Sequence, residues 1–117
     1  ITGLKRVNDA EGHAAGDRLI LASCACMKTA FGDSYKLFRI GGDELLAICV
    51  GIGETDFRER VKTLKKIMAE SSVNMAVGAD WRSTNTDGIS AVLAAAEAQM
   101  YEDKADYYRK AGIDRRR

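Results

Sequence analysis

An α+β fold with a mainly antiparallel central sheet flanked by helices is what this sequence predicts, and three observations carry it. Two apolar runs, Tyr35 to Ile40 and Leu45 to Val50, flank Gly41-Gly42-Asp43-Glu44 and read as a hairpin. Three longer stretches repeat apolar residues at helical spacing, and one short stretch alternates them at the period of a strand. At 117 residues the chain suits one domain, long enough to bury a core and too short for two. No internal repeat, proline or low-complexity segment interrupts that order, so the elements belong to one layered domain.

Taken in order, Ile1-Thr2-Gly3-Leu4-Lys5 reads as the end of a strand entering a turn. A truncated first strand is therefore expected, with residues 1–117 forming an N-terminally incomplete domain. From Ala14 to Phe31, Leu19, Ala22, Ala25, Cys26, Thr29 and Ala30 recur at helical spacing, and Gly32 is placed to end the helix. The hairpin follows, its second strand apolar enough to be central. Thr55 or Asp56 can cap a helix with Phe57, Val61, Leu64 and Met68 on one face and charged residues on the others. Val73, Met75, Val77, Ala79 and Trp81 alternate with Asn74, Ala76, Gly78 and Asp80, which predicts a third strand. Asn85-Thr86-Asp87-Gly88 gives a loop. From Ile89 to Lys110 an alanine-rich helix carries Ile89, Val92, Leu93, Ala96 and Met100 on one stripe.

Composition excludes several classes. With 46% apolar and 30% charged residues and a net charge of +1, the chain is neither disordered nor globally drawn to nucleic acid or membrane. The terminal Arg115-Arg116-Arg117 reads as a solvated tail. No apolar run approaches the roughly 18 residues of a membrane span, and the start is not a signal peptide, so a cytoplasmic domain without membrane contact is expected. Cys24, Cys26 and Cys49 are odd in number, and the first two point to different faces of a helix. Reduced thiols are expected, with neither a disulfide nor a zinc site.

The chemistry concentrates at the hairpin tip. Gly41 and Gly42 reach φ > 0 at little steric cost, so they can turn tightly and let a bulky ligand approach the main chain at Gly42. Asp43 and Glu44 supply hard oxygen ligands. Mg²⁺ takes one or two protein carboxylates and completes its shell with water and phosphate oxygens, which suits a nucleotide site better than an all-protein cage. The same tetrapeptide also suits a solvated acidic turn.

Upstream, Ile1-Thr2-Gly3-Leu4-Lys5-Arg6-Val7-Asn8-Asp9-Ala10-Glu11-Gly12-His13-Ala14-Ala15-Gly16-Asp17 places polar groups at a spacing that neither core packing nor amphipathicity demands. Followed by Arg39-Ile40-Gly41-Gly42-Asp43-Glu44-Leu45, this pattern resembles the GGDEF domain of bacterial diguanylate cyclases. Ala76-Val77-Gly78, Ala96-Glu97, Met100-Tyr101 and Lys104 extend the resemblance over essentially the whole chain. It implies a palm-like fold and an enzyme that, as a homodimer with Mg²⁺ or Mn²⁺, joins two GTP into cyclic di-GMP and releases pyrophosphate. It also implies an upstream sensor or regulatory domain in the parent chain. Two rivals remain: an inactive regulatory module that binds GTP or a dinucleotide, and a purely structural dimerisation domain.

By the same resemblance, Asp43, Glu44 and the carbonyl of Ile1 hold metal, and Glu44 can also help deprotonate the attacking 3′-hydroxyl. Asn8 and Asp17 match the residues that read guanine. A carboxylate can accept from both guanine N1–H and N2–H₂, a donor pair that adenine lacks. Gly3 and Leu4 offer backbone N–H groups to the phosphates, Lys5 and Lys104 place positive charge against them, and His13 lies near the nucleotide.

The departures are specific. The family's aspartate before the position of Ile1 lies outside the chain, so this piece alone is expected to be weak or inactive. Thr2 stands where many members have aspartate, and Leu45 replaces a phenylalanine. The inhibitory Arg-x-x-Asp would require arginine at Gly32 and aspartate at Tyr35, so product inhibition there is not expected. Tyr108 replaces an arginine of the last helix.

Overall fold

A leucine and a glycine open the first helix. Gly3 takes the left-handed conformation (φ 80°, ψ 11°) and α1 runs over Leu4–Glu11, anchored by the buried Leu4. In this computed structural model, which describes residues 1–33, 35–71, 73–84 and 88–111, the turn expected near the start occupies Thr2 and Gly3 and leads directly into α1, which was not expected. Gly12, at φ 88°, ends α1 and begins α2 (His13–Phe31) as a one-residue joint. The chain then forms β1 (Lys36–Arg39), β2 (Leu45–Ile48), α3 (Glu54–Ala69) and α4 (Ile89–Ala111), an α+β order. Residues Ile1–Met75 and Ala76–Arg117 make two separate compact units.

In the first unit α2 is the shared element, touching α1, α3 and β2. Its buried side comprises Ala15, Gly16, Ser23, Cys26, Met27, Ala30 and Phe31. The expected stripe is thus rotated, since Ala22, Ala25 and Thr29 face out. Ser23 is the reason. It is fully buried, and its hydroxyl donates to the Leu19 carbonyl at 2.8 Å, so a polar residue occupies the centre of the apolar side without an unmet donor. Gly32 ends the helix with φ 72°, as its position predicted.

α3 lays Leu64, 3% exposed, into the core, with Phe57, Val61 and Met68 half-buried on the same side. Neither Thr55 nor Asp56 caps it. The helix has already begun at Glu54, the Phe57 N–H reaches the Gly53 carbonyl at 2.9 Å, and Glu54 and Asp56 instead place negative charge in the first turn. Exposed ion pairs Arg58–Glu54 and Lys62–Glu59 add only tenths of a kcal/mol.

Arg60 is the exception among the α3 cations. Its Nη1 donates to the carbonyls of Ala30 and Phe31 at 3.3 and 3.1 Å, and its guanidinium lies 5.2 Å from the centre of the Tyr35 ring. It therefore closes the C-terminal end of α2, where unpaired carbonyls and the helix dipole favour a cation. Its buried Nε makes no hydrogen bond and lies 3.7 Å from the Asp56 carboxylate. Arg60→Lys keeps the charge but loses the planar fork, and is expected to lower unfolding free energy by about 1–2 kcal/mol in a denaturant titration. An unchanged midpoint would show that the contact adds nothing.

The hairpin pairs antiparallel in the register Lys36↔Ile48, Leu37↔Ala47, Phe38↔Leu46, Arg39↔Leu45. Among the described residues the sheet has these two strands, so β2 is not central and its four residues are half-buried. The expected third strand is not formed at 73–81. Val73 and Met75 are buried with Asn74 exposed, as alternation predicted, but the Asn74 carbonyl accepts from the Thr2 N–H at 2.7 Å without a strand ladder forming.

The second unit explains the rest of that failure. The Val77 N–H donates to Asp103 Oδ2 at 2.8 Å and the Ala79 N–H to Gln99 Oε1 at 3.3 Å, so side chains of α4 take the donors a neighbouring strand would have used. Gly78 between them lies directly on the α4 backbone. Along α4, Val92, Ala96 and Met100 are half-buried, whereas Ile89 and Leu93 of the expected stripe are exposed. Tyr108 is buried and meets Tyr107 edge to face at 5.4 Å. The expected loop at Asn85-Thr86-Asp87 and the Arg115–Arg117 tail lie outside the described residues. Among the described residues no helix is long and apolar enough to cross a membrane.

All three cysteines are free thiols. Burial pushes the Cys49 thiol up, against a smaller opposing effect of Arg60, so the group stays neutral further into the alkaline range.

Candidate nucleotide site

The hairpin tip is built from backbone outward. The Ile40 N–H donates to the Glu44 carbonyl at 3.0 Å, closing a three-residue loop of Gly41, Gly42 and Asp43, and Arg39 Nη2 holds the Gly42 carbonyl at 2.9 Å. Neither glycine takes positive φ. The expectation that they turn through the left-handed region is therefore wrong, because the loop closes around the Arg39 contact without it. Their missing side chains matter differently. A Cβ on Gly42 would meet nothing within 4 Å, and one on Gly41 would lie 3.7 Å from Glu44 Cβ, so the tip is open main chain beside a carboxylate.

Asp43 is exposed and Glu44 half-buried. The Ile1 backbone nitrogen donates to the Asp43 carbonyl at 2.5 Å, which brings together the start of the chain and the tip. Two of the three expected metal-holding residues thus share one location, with Glu44 adjoining in sequence. Among the described residues no group of three or more His, Cys, Asp or Glu side chains could hold a metal. The carboxylates of Asp43 and Glu44, adjacent in sequence, suit Mg²⁺ only where phosphate oxygens and water complete the shell.

From Ile1 the chain passes through Thr2 directly into α1. That helix has no side-chain cap and no acidic residue in its first turn, which instead carries Lys5 and Arg6. The amides of its first turn have no partners within the helix, so its positive end is suited to an anion. Gly3 and Leu4 sit at that end, Leu4 holding it in place through its buried side chain, and Lys5 is exposed beside it.

The joint between α1 and α2 gathers the next expected residues. Asn8 is half-buried, and its side chain lies against Gly16 across the joint. Asp17 follows Gly16 and is exposed, as is His13, the first residue of α2. Lys104 belongs to the second unit, half-buried on α4 next to Asp103. Sequence reasoning missed Arg39 as the brace of the tip, and it missed α1 itself. The signal for α1 was present in a glycine on either side of an eight-residue segment with Leu4 and Val7 three apart.

An apolar hollow of about 100 Å³ lies elsewhere, lined by α2 and strand residues including Cys24, Met27, Leu37 and Leu45. It is well below the few hundred Å³ usual for ligand pockets and includes no residue of the 41–44 tip.

The family model described as diguanylate cyclase, GGDEF domain, matches residues 1–110. The chain is similar to a diguanylate cyclase, DgcN, of Escherichia coli, at 25% identity over 88% of this chain and 25% of the relative. It is 35% identical to a cyclic di-GMP phosphodiesterase, PdeB, of Shewanella oneidensis over 61% of this chain and 8% of the relative. A signaling protein, YkoW, of Bacillus subtilis is 28% identical over 86% of this chain and 14% of its own length. The chain thus spans a quarter or less of the curated relatives it matches. No solved structure matches.

Proposed function

Because the chain belongs to the diguanylate cyclase GGDEF family, we propose that it is the catalytic domain that condenses two GTP into cyclic di-GMP with release of pyrophosphate. The observation that carries this reading is the open Gly41–Glu44 tip joined through Ile1 to the uncapped end of α1. One place thereby offers carboxylates for a metal and amides for phosphate, and the α1–α2 joint that follows offers Asn8 and Asp17 for a base.

In this reading the amides of Gly3 and Leu4 take phosphate oxygens, with Lys5 offsetting their charge. Asp17 accepts from the guanine N1–H and N2–H₂, and Asn8 completes the edge. Asp43, Glu44 and the Ile1 carbonyl would hold Mg²⁺, which supplies charge neutralisation at the phosphates. Glu44 takes the proton of the attacking 3′-hydroxyl. The 3′-oxygen bonds to the α-phosphorus of the second GTP, the bond to the β-phosphate oxygen breaks, and pyrophosphate leaves with the electron pair. The same exchange in the opposite direction closes the ring, so two protomers, each holding one GTP, face one another. A palm-like architecture, a cytoplasmic setting and an upstream input domain belong to the same proposal.

The test is chromatographic detection of cyclic di-GMP from GTP and Mg²⁺, using the protein that carries this domain beside its Asp43→Ala variant. Product that vanishes in the variant supports the cyclase. The similarity to a protein named as a cyclic di-GMP phosphodiesterase favours a second reading, a GTP-binding regulatory module without turnover. Under that reading GTP raises thermal stability while no product forms.

A further inference from the structure

We infer that Gly16 is a positioning residue for base recognition, acting through Asn8; the inference rests on the nucleotide reading above. Gly16 is buried in α2, where helical φ and ψ need no glycine. Its N–H is already used, donating to the Gly12 carbonyl at 3.2 Å, so it holds Asn8 by shape and not by a hydrogen bond. A Cβ at this position would lie 2.7 Å from Asn8 Cγ and 3.3 Å from Nδ2, with Oδ1 nearer still. The Asn8 carboxamide therefore fills the volume that any other residue at 16 would claim.

The consequence is fixed orientation. Asn8 has a short side chain with few rotamers, and its own backbone is held because its carbonyl accepts the Gly12 N–H at 3.0 Å. With the carboxamide seated in the Gly16 notch, its hydrogen-bonding groups are set before a base arrives, next to the exposed Asp17. An alanine at 16 cannot coexist with that rotamer. The methyl is fixed to the α2 backbone at a buried position whereas the carboxamide is the mobile end of a side chain, so Asn8 must swing away, and the loss falls on base binding more than on turnover.

Steady-state kinetics on GTP of the protein that carries this domain test this, with thermal unfolding alongside. Gly16→Ala is expected to raise KM for GTP about tenfold with kcat changed much less, the size expected for one lost hydrogen bond to the base. Asn8→Ala should do the same. The double variant, which removes the obstructing carboxamide, should recover the thermal midpoint lost in Gly16→Ala and show a KM no worse than Asn8→Ala alone. A double variant whose KM is the product of the two single effects would overturn the role of Gly16, as would Gly16→Ala with wild-type KM. A wild-type protein with neither product nor a GTP-dependent rise in melting temperature would overturn the nucleotide reading itself.

Discussion

Replacing Glu44 by glutamine is expected to cut cyclic di-GMP formation at least about a hundredfold while leaving the fold intact, since a positioned proton acceptor contributes roughly 10²–10⁴ in rate. The two side chains have nearly the same shape, and the contact that closes the hairpin uses the Glu44 backbone carbonyl, which the substitution leaves alone. What disappears is the negative charge and the capacity to take a proton. Gly41 and Gly42 offer no replacement because they carry no side chains, the Arg39 guanidinium is engaged on the Gly42 carbonyl, and the Asp43 carboxylate is given to the metal in the proposed reading. The check is initial rate of product formation, together with the GTP-induced shift in melting temperature. A variant that still binds GTP but has lost turnover places Glu44 in the chemistry. A variant with wild-type rate removes it from the mechanism and returns the tip to a solvated acidic turn.

How much of this could be read beforehand depended on where each contact lies along the chain. The hairpin, the presence of α3 and the boundaries of α2 and α4 were legible, because aromatic and branched runs, periodic apolar residues and Gly32 are local signals; the start of α3 was not, since it begins at Glu54 ahead of either expected cap. Ser23 misled the reading of α2 because its hydroxyl is satisfied by its own helix, so its polarity says nothing about exposure. The third strand failed for a non-local reason: the partners of the Val77 and Ala79 N–H groups are Asp103 and Gln99, 26 and 20 residues on. At the candidate site the carboxylates and glycines were legible by type, but their use was not. Gly41 and Gly42 expose main chain without positive φ, whereas Gly3 and Gly12 need it to start and end α1. The notch at Gly16 required both helices to be in place.

That non-local contact in the second unit sets the other large effect. Gly78→Ala is expected to destabilise the protein by about 3 kcal/mol, at the upper end of the usual cost of inserting a methyl into a closed space. The new Cβ would lie 3.0 Å from the Ala96 carbonyl carbon, with the Ala96 oxygen and the Met100 nitrogen nearer still. These are backbone atoms of α4, and no rotamer change can move them. The chain must lift from the helix, which also stretches the bonds from Val77 to Asp103 and from Ala79 to Gln99 on either side. Thermal unfolding reads this as a fall on the order of 10 °C, since about 1 kcal/mol shifts the midpoint of a domain this size by several degrees. Gly42→Ala is the matched comparison: its Cβ meets nothing within 4 Å and its φ is not positive, so its midpoint should stay near wild type. Equal midpoints for the two variants would mean that α4 does not lie against Gly78. A deep loss confined to Gly78→Ala would establish that only a glycine permits this segment to lie on the helix that carries Lys104.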